Sequence, residues 1–409
     1  MAQVLPFNGL LAQPEKITEV AAVPYDVVNS EEAAELAKGN PLSFLRVSRP
    51  EIEMEAGVNL YSEPVYQKAA SAFKRLCEIA PLELDPQKNM YIYSLKMGDH
   101  TQIGIVGASS TVDYDNDIIK KHEKTRQDKE DDRAKHVMTL RSQTGPVFLT
   151  YKDDNKIDGI VNDIIMETPF YSFVAPDGIE HKLWKAGEAR SQKISAAFAE
   201  VNYLYIADGH HRAASASRAA KTCREANPNH TGEEEYNSFL TVIFPGSQLK
   251  VLAYNRAVHN LNGNTVEGLK SKIEEKFNVT ETSNPIPDEY TKICMYLDSK
   301  WYLLQPKFDA NALGVIDKLD VSILQDNILA PLLGIDDPRT SKDIDFVGGI
   351  RGTEELEKLV NTGKAEVAFS MYPTTVEQLM DIADADEIMP PKSTWFEPKL
   401  RDGLVCHNF

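Results

Sequence analysis

Residues 203–212 read Tyr203-Leu204-Tyr205-Ile206-Ala207-Asp208-Gly209-His210-His211-Arg212, and this is the most informative local pattern in the chain. Its first five residues form a short, nearly continuous apolar run, which is typical of a buried strand. After the strand, a short turn leads into an alanine-rich segment, residues 213–221, that has the composition of a helix. A strand that passes through a short turn into a helix is a building block of α/β proteins. The sequence therefore predicts an α/β protein with mixed sheets.

The junction between this strand and helix is suited to an anionic ligand. The first N–H groups of a helix have no partner inside the helix, and the helix dipole is positive at that end, so a phosphate binds there readily. Asp208 supplies a carboxylate suited to magnesium, and Gly209 lets a ligand approach the backbone. Donors for phosphate oxygens follow in His210, His211 and Arg212. The alternative is that Asp208 only caps the helix and that the histidines are satisfied surface donors.

A second candidate site lies in the charge-dense segment 120–136. Glu123 follows His122 there, and a carboxylate with such a neighbour can remove the proton from an alcohol in the transition state. This predicts Glu123 as a general base, with His122 beside it. The alternative is that the whole charged segment forms the solvated face of a helix.

The remaining pattern alternates short strands and helices without internal repeats. Strands are predicted at 91–97, 102–106, 147–151, 238–244, 292–297, 301–304 and 366–370, and helices at 30–38, 63–79, 266–277 and 354–361. These elements divide into three predicted domains, residues 1–112, 113–245 and 246–409. The irregular tail 389–409 is expected to be disordered or to pack over the cleft as a lid.

Composition excludes several classes of function. The 409 residues carry a formal charge of −18 and show no basic stripe, so nucleic acid is not an expected partner. No segment approaches the length of a membrane span, which predicts a cytoplasmic protein without membrane contact. The four cysteines, Cys77, Cys223, Cys294 and Cys406, have no zinc-ligand spacing.

Several of these motifs resemble, in the same order, those of the free L-serine kinases of the ParB/sulfiredoxin-like superfamily. The matching patches are His122-Glu123, the stretch Asp208 to Arg212, and a C-terminal region from Glu366 to Thr394 that ends in Pro391-Lys392-Ser393-Thr394. The whole chain also resembles a widespread bacterial family that shares this core. That family begins with P-F-x-G-L and P-Y-D-V motifs, which are Pro6 to Leu10 and Pro24 to Val27 here.

The resemblance implies a ParB/sulfiredoxin-like catalytic core with additional N-terminal and C-terminal α/β subdomains. It implies a kinase in which Glu123 acts on the hydroxyl of free L-serine, and Asp208 positions the hydroxyl or a magnesium ion. ATP or ADP would be the phosphoryl donor. The nucleotide phosphates would be held by His210, His211 and Arg212, and the substrate or its phosphate would lie near Lys392, Ser393 and Thr394.

This sequence departs from the kinase pattern at two places. The family tail has a histidine where Trp395-Phe396 stands here, and the gap between His122-Glu123 and Asp208 is longer. The first hundred residues have no counterpart in the short archaeal kinases, and their role in capping the cleft, binding substrate or forming a homodimer stays open. Arg46, in the strand-like run 40–51, is a further candidate for a substrate carboxylate or phosphate, against a structural role.

Two other classes of function stay open beside the kinase. One is a ParB-like nucleotide-binding switch that phosphorylates no small molecule. The other is a metal-dependent hydrolase that uses Asp208, His210 and His211 as ligands.

Overall fold

The structure is a computed structural model that describes residues 1–409. The chain forms two compact units: the first contains residues 1–249 together with 398–409, and the second contains residues 250–397. Each unit combines helices with sheets, which confirms the predicted mixed α/β class. The proposed domain boundaries at residues 112 and 245 stay a prediction.

The elements are numbered along the chain. The strands are β1 (Val4–Leu5), β2 (Gly9–Leu11), β3 (Glu83–Leu84), β4 (Tyr91–Met97), β5 (His100–Ser110), β6 (Ile119–Lys120), β7 (Ser142–Gln143), β8 (Val147–Tyr151), β9 (Tyr171–Val174), β10 (Glu180–Lys185), β11 (Leu204–Asp208), β12 (Ser238–Pro245), β13 (Lys250–Leu252), β14 (Tyr254–Val258), β15 (Phe277–Thr282), β16 (Ile293–Leu297), β17 (Lys300–Pro306), β18 (Ile344–Gly348), β19 (Val367–Met371), β20 (Trp395–Glu397) and β21 (Cys406–Asn408). The helices are α1 (Ile17–Val20), α2 (Ser30–Leu36), α3 (Leu45–Ser48), α4 (Glu63–Ile79), α5 (Thr111–Asp115), α6 (Gln127–Leu140), α7 (Asn155–Ile165), α8 (Glu188–Phe198), α9 (His210–Ala226), α10 (Val266–Glu274), α11 (Asp320–Leu324), α12 (Ala330–Leu333), α13 (Gly352–Asn361) and α14 (Val376–Asp384).

A nine-stranded mixed sheet forms the centre of the first unit. Its strand order is β6-β11-β8-β12-β5-β4-β10-β9, and β1 pairs with β5. The pairs β6–β11 and β8–β12 are parallel, whereas the other pairs are antiparallel. Because β8, β11 and β12 are buried almost throughout, they read as continuous apolar runs in the sequence.

A second sheet in the first unit contains the end of the chain. Its order is β3-β2-β21-β7, so β21 lies between β2 and β7 as an interior strand. The final residues are therefore ordered by strand pairing.

The second unit contains an antiparallel six-stranded sheet, with the order β15-β17-β16-β19-β14-β18. Helix α13 packs on this sheet through Leu356, which is fully buried beside Ala257 and Ala368. A separate two-stranded ribbon pairs β13 with β20. None of the helices in the chain combines the length and apolar character needed to cross a lipid bilayer.

Several element predictions were wrong in their bounds or type. The run 40–51 is not a strand, since it contains the short helix α3. The charged segment 120–136 is not one helix: it holds the end of β6, an irregular loop and most of α6. Helix α2 ends at Leu36 rather than at 38, and its N-cap is Asn29, whose side chain accepts from the Glu32 N–H at 2.9 Å.

Candidate active site

The turn after β11 is built around Gly209. Strand β11 ends at Asp208, and helix α9 begins at His210 with Gly209 as its N-cap residue, at φ 92°. Only glycine adopts this backbone conformation without strain. A β-carbon at this position would also lie 3.1 Å from Nε of Arg212, whose side chain folds back over the turn. The histidines and Arg212 are thus the first residues of a 17-residue helix.

Strand pairing brings the loop after β6 to this turn. In the parallel pair of β6 with β11, Ile119 lies opposite Leu204 and Lys120 opposite Tyr205. The residues after β6 carry the His122 ring to the end of β11, where it hydrogen-bonds to the backbone of Ile206 and feels the charge of Asp208. The Glu123 side chain is exposed.

Two contacts join this loop to the start of α9. The rings of His122 and His210 meet edge to face, with their centroids 4.4 Å apart at 89°. The backbone N–H of Arg126 donates to Nε2 of His211 at 3.1 Å, across 85 positions of sequence. The structure thus brings together the two segments that the sequence analysis singled out.

Asp208 is held as a carboxylate. Its Oδ2 accepts from Nζ of Lys399 at 3.0 Å, and its Oδ1 accepts from the N–H of Gly209 at 2.8 Å. Burial alone would raise the pKa of Asp208, but the charges of Lys399 and Arg212 outweigh that effect and hold it well below its ordinary value. A fixed negative charge therefore lies at the end of β11.

His122 and His210 are neutral, buried rings. Their exposed fractions are 2% and 5%. Burial lowers the pKa of His122 to about 4, and burial together with the neighbouring His122 lowers the pKa of His210 well below its ordinary value. Nδ1 of His122 and Nε2 of His210 make no hydrogen bond. A phosphate at this turn would meet neutral imidazoles here.

Arg212 carries the fixed positive charge of the turn. Its side chain is 10% exposed, and its guanidinium lies 3.5 Å from Oδ2 of Asp26 and donates to the carbonyl of Pro146. Burial opposes the charged form, but Asp26, Asp208 and Asp402 together raise the pKa of Arg212 above its ordinary value. The side chain is therefore a buried cation among carboxylates.

Arg46 does not share this environment. Its Nε and one terminal nitrogen donate to the carbonyls of Asn40 at 2.9 Å and Ala37 at 2.7 Å. Its other terminal nitrogen pairs with Glu53 at 2.6 Å, a carboxylate that also binds Lys68 and Arg75. This arrangement favours a structural role for Arg46, and its assignment to substrate stays an untested prediction.

The predicted substrate residues of the tail belong to the second unit. Lys392 is exposed and adopts a left-handed φ of 57°, while its Nζ lies 5.4 Å from the centre of the Tyr254 ring. Ser393 is buried, and its hydroxyl donates to the carbonyl of Pro390 at 2.7 Å. Thr394 is half-buried. The substrate role of all three stays a prediction.

The chain does not form a resident metal site around Asp208. Both oxygens of Asp208 already accept hydrogen bonds, and nowhere do three or more His, Cys, Asp or Glu side chains come together in a way that could hold a metal ion. Asp208, His210 and His211 are therefore not a ligand set of the kind that a metal-dependent hydrolase requires.

Sequence reasoning did not find the other charged residues around the turn. Lys399 lies in the tail that was expected to be irregular, and Arg133 and Asp402 occur in no motif that was assigned a role. Tyr25 and Asp26 could have been found, because both belong to the Pro24 to Val27 motif.

Comparison with solved structures finds several similar chains. SbnI with C-terminal truncation, from Staphylococcus aureus, is 11% identical over 73% of this chain and 85% of that chain, with a TM-score of 0.40. A conserved hypothetical protein from Pyrococcus furiosus is 16% identical over 70% and 90%, with a TM-score of 0.32. A free serine kinase in complex with AMP is 15% identical over 70% and 89%, with a TM-score of 0.33.

Comparison with curated protein sequences finds no match. The match to a family model covers most of the chain, from residue 4 to residue 322. The chain belongs to this family, which is described as "Protein of unknown function (DUF1015)".

Proposed function

We propose that this protein is a kinase that transfers a phosphoryl group from ATP or ADP to the hydroxyl of free L-serine and forms O-phospho-L-serine. The proposal rests on one observation: the loop that carries His122, the neighbour of Glu123, meets the start of α9, where the rings of His122 and His210 are in contact. The three ordered motif patches that resemble free serine kinases give the reaction and the acceptor. The ParB/sulfiredoxin-like character of the core belongs to the same proposal.

The nucleotide phosphates bind at the start of α9 in this proposal. The first N–H groups of this helix, its dipole and the charge of Arg212 all favour an anion there. His210 and His211 contribute as neutral donors or by shaping the turn. Asp208, the carboxylate at the end of β11, would hold the magnesium ion of the nucleotide after exchanging one of its present hydrogen bonds, and the ion would neutralise charge on the phosphates.

Glu123 is the general base. The serine hydroxyl loses its proton to the Glu123 carboxylate while its oxygen forms a bond to the terminal phosphorus. The bond from that phosphorus to the bridging oxygen breaks, and ADP or AMP leaves. Positioning and charge neutralisation supply most of the rate enhancement, since phosphoryl transfer needs little covalent help from the protein.

The substitution Glu123→Gln tests the mechanism. It keeps the shape of the side chain but removes its basicity, so turnover should fall about 10²–10⁴-fold while nucleotide affinity stays largely unchanged. The measurement is a screen of ATP and ADP against each amino acid, with detection of the phosphorylated product and a separate titration of nucleotide binding. Glu78→Gln, on the exposed face of α4, is the matched control. A fully active Glu123→Gln protein would remove Glu123 from the mechanism.

The same screen separates the kinase from a ParB-like switch. Such a switch would bind nucleotide without transferring its phosphoryl group to any amino acid. The formal charge of −18 disfavours a DNA-binding form of this alternative.

A further inference from the structure

A buried arginine without a counter-ion lies in the sheet of the second unit. Arg256 belongs to β14, an interior strand that pairs with β18 and β19, and the residue is only 3% exposed. No carboxylate is among the groups that act on its charge. Arg401, which is equally buried, is paired with Asp177. Because a buried charge is normally paired, Arg256 lacks an anion that its surroundings do not supply.

Backbone carbonyls hold the Arg256 guanidinium in place. One terminal nitrogen donates to the carbonyl of Tyr254, and the other donates to the carbonyl of Lys392 at 3.1 Å. The guanidinium carbon lies 5.4 Å from the centre of the Phe346 ring. Nε of Arg256 makes no hydrogen bond and, unlike Nε of Arg212, is not sealed from solvent. One donor of the guanidinium is therefore left for a ligand.

The carbonyls hydrogen-bond to the guanidinium but do not neutralise its charge. Burial lowers the pKa of Arg256 to about 10, and Tyr254 is the group that opposes this effect. Arg212 in the first unit has the opposite balance, because three carboxylates raise its pKa above the ordinary value. The second unit thus keeps a buried positive charge that its own acidic residues do not offset.

A second cation without an ionic partner belongs to the same surroundings. The Lys392 side chain is exposed, its Nζ lies 5.4 Å from the centre of the Tyr254 ring, and it forms no ion pair. Its backbone has a left-handed φ of 57°, a conformation that residues with a β-carbon rarely adopt. The hydrogen bond from Arg256 to the Lys392 carbonyl helps to hold this backbone in place. Arg256 therefore positions Lys392 as well as adding its own charge.

We infer that Arg256 and Lys392 bind the dianionic group of a small phosphate monoester. The exposed ammonium of Lys392 and the free Nε of Arg256 would donate to the phosphate oxygens, as lysine and arginine commonly do. Two cations without carboxylates match the charge of such a monoester near pH 7, which is about −1.5 to −2. A carboxylate would offset only one of them. The identity of the monoester, O-phospho-L-serine, rests on the proposed function, since it is the product of that reaction.

Calorimetry with the full-length protein and O-phospho-L-serine measures the affinity of this site. Arg256→Met removes the charge at similar side-chain volume and should weaken binding at least about tenfold. Lys392→Met, at an exposed position, should weaken it as well. Arg339→Met changes an exposed arginine of the same unit and is the matched control, with unchanged affinity expected.

Thermal unfolding shows whether Arg256 has only a structural role. The replacement of a buried charge by an apolar side chain of similar volume is often neutral or stabilising. Without phosphate, Arg256→Met should therefore unfold at the wild-type temperature or above it, but it should lose the rise in Tm that O-phospho-L-serine gives the wild type. Arg256→Lys keeps the charge and should retain part of that rise.

Two results would overturn the inference. One is a folded Arg256→Met protein that binds O-phospho-L-serine with wild-type affinity. If Arg256→Met does not fold, unchanged affinity in Lys392→Met has the same consequence, because that side chain is exposed.

Two further ligands identify the group that is recognised. Inorganic phosphate has the phosphate oxygens alone, and its binding should also depend on Arg256. L-Serine has a carboxylate but no phosphate, and its binding should change little in Arg256→Met. If L-serine and O-phospho-L-serine lose the same factor in affinity, the cations recognise a carboxylate and the phosphate assignment is wrong.

These titrations need no phosphoryl transfer, so they separate the inference from the kinase proposal. Phosphate binding that depends on Arg256, in a protein that phosphorylates no acceptor, would remove the kinase and keep the site. Transfer to L-serine by a protein whose affinity for O-phospho-L-serine is indifferent to Arg256 would remove the site and keep the kinase.

Discussion

At the level of single residues, the turn combines the carboxylate of Asp208, the guanidinium of Arg212 and the neutral rings of His122 and His210. Asp208 owes its negative charge to Lys399 and Arg212, and Arg212 owes its positive charge to the carboxylates around it. His122 and His210 stay neutral because burial penalises their charged forms. The chemistry of each side chain follows from its neighbours, which a motif of five letters does not specify.

Gly209→Ala should damage both the fold and the site. Its φ of 92° is strained for alanine, and the new β-carbon would lie 3.1 Å from Nε of Arg212. The expected loss in the free energy of unfolding is about 1–3 kcal/mol, with weaker nucleotide binding. Chemical denaturation and nucleotide titration measure the two effects. Gly159→Ala, inside α7 and in open space, should instead stabilise the protein by about 0.5–1 kcal/mol.

His181 should make the protein acid-sensitive. The ring is fully buried, Nδ1 lies 2.8 Å from the Tyr93 hydroxyl, and Nε2 accepts from Nε of Arg401 at 3.1 Å. Burial, and then the charge of Arg401, lower its pKa to about 3. The unfolded chain therefore binds a proton between pH 6.5 and 3 that the folded chain does not, and stability falls as the pH falls through this window.

The size of this effect can be measured with His181→Gln. From pH 7 to pH 5, the low pKa of the buried His181 ring should reduce the free energy of unfolding by about 2 kcal/mol. The variant should lose less stability over that interval than the wild type, by roughly this amount. Denaturant titrations at both pH values supply the comparison, and an identical loss in the two proteins would contradict the assignment.

At the level of helices and strands, the sequence predicted the bounds of long or buried segments correctly. It did not predict short strands that are defined only by their pairing with other strands. Helix α4 and strands β4 and β8 have the predicted bounds, because periodicity or a continuous apolar run marks each of them. The two-residue strand β6 was missed, although its pairing with β11 leads His122 to the start of α9. Strand β21 was missed because its identity depends on β2 and β7, which lie far away in the sequence.

Removal of residues 398–409 should unfold the first unit. It deletes an interior strand, β21, and the buried pairing of Arg401 with His181. Interior strands carry hydrogen bonds on both sides, so the free energy of unfolding should fall enough to abolish the cooperative transition. Thermal unfolding followed by circular dichroism is the measurement. A truncated protein with an unchanged transition would show that β21 adds little stability.

The substitution Lys399→Met removes the contact between the tail and Asp208 but keeps the tail strand β21 in its sheet. Strand β21 stays, so cooperative unfolding should be retained. Asp208 loses its closest counter-ion, so its pKa should rise and its carboxylate becomes free on one oxygen. Turnover should therefore change while the unfolding transition persists. Loss of the transition itself would mean that Lys399 is needed for folding.

At the scale of the whole molecule, the second unit is an insertion into the first. The chain enters it at Lys250 and leaves it at Glu397, and these residues are paired on neighbouring strands. Cross-strand partners lie about 4.5–5.5 Å apart, so the two crossing points are adjacent. The sequence shows a change of pattern near residue 246, but no local signal indicates that residues 398–409 rejoin the first unit.

This topology predicts that the second unit can be removed. A chain in which a short glycine-rich linker replaces residues 250–397 should keep the fold of the first unit, because the linker spans only neighbouring strand positions. It keeps Glu123, Asp208 and Arg212 but lacks Lys392, Ser393 and Thr394. If those three residues hold the acceptor, this protein should bind nucleotide with wild-type affinity and transfer no phosphoryl group to L-serine. Calorimetry and the product assay measure the two properties. Undiminished transfer would place the whole reaction in the first unit and remove Lys392, Ser393 and Thr394 from it.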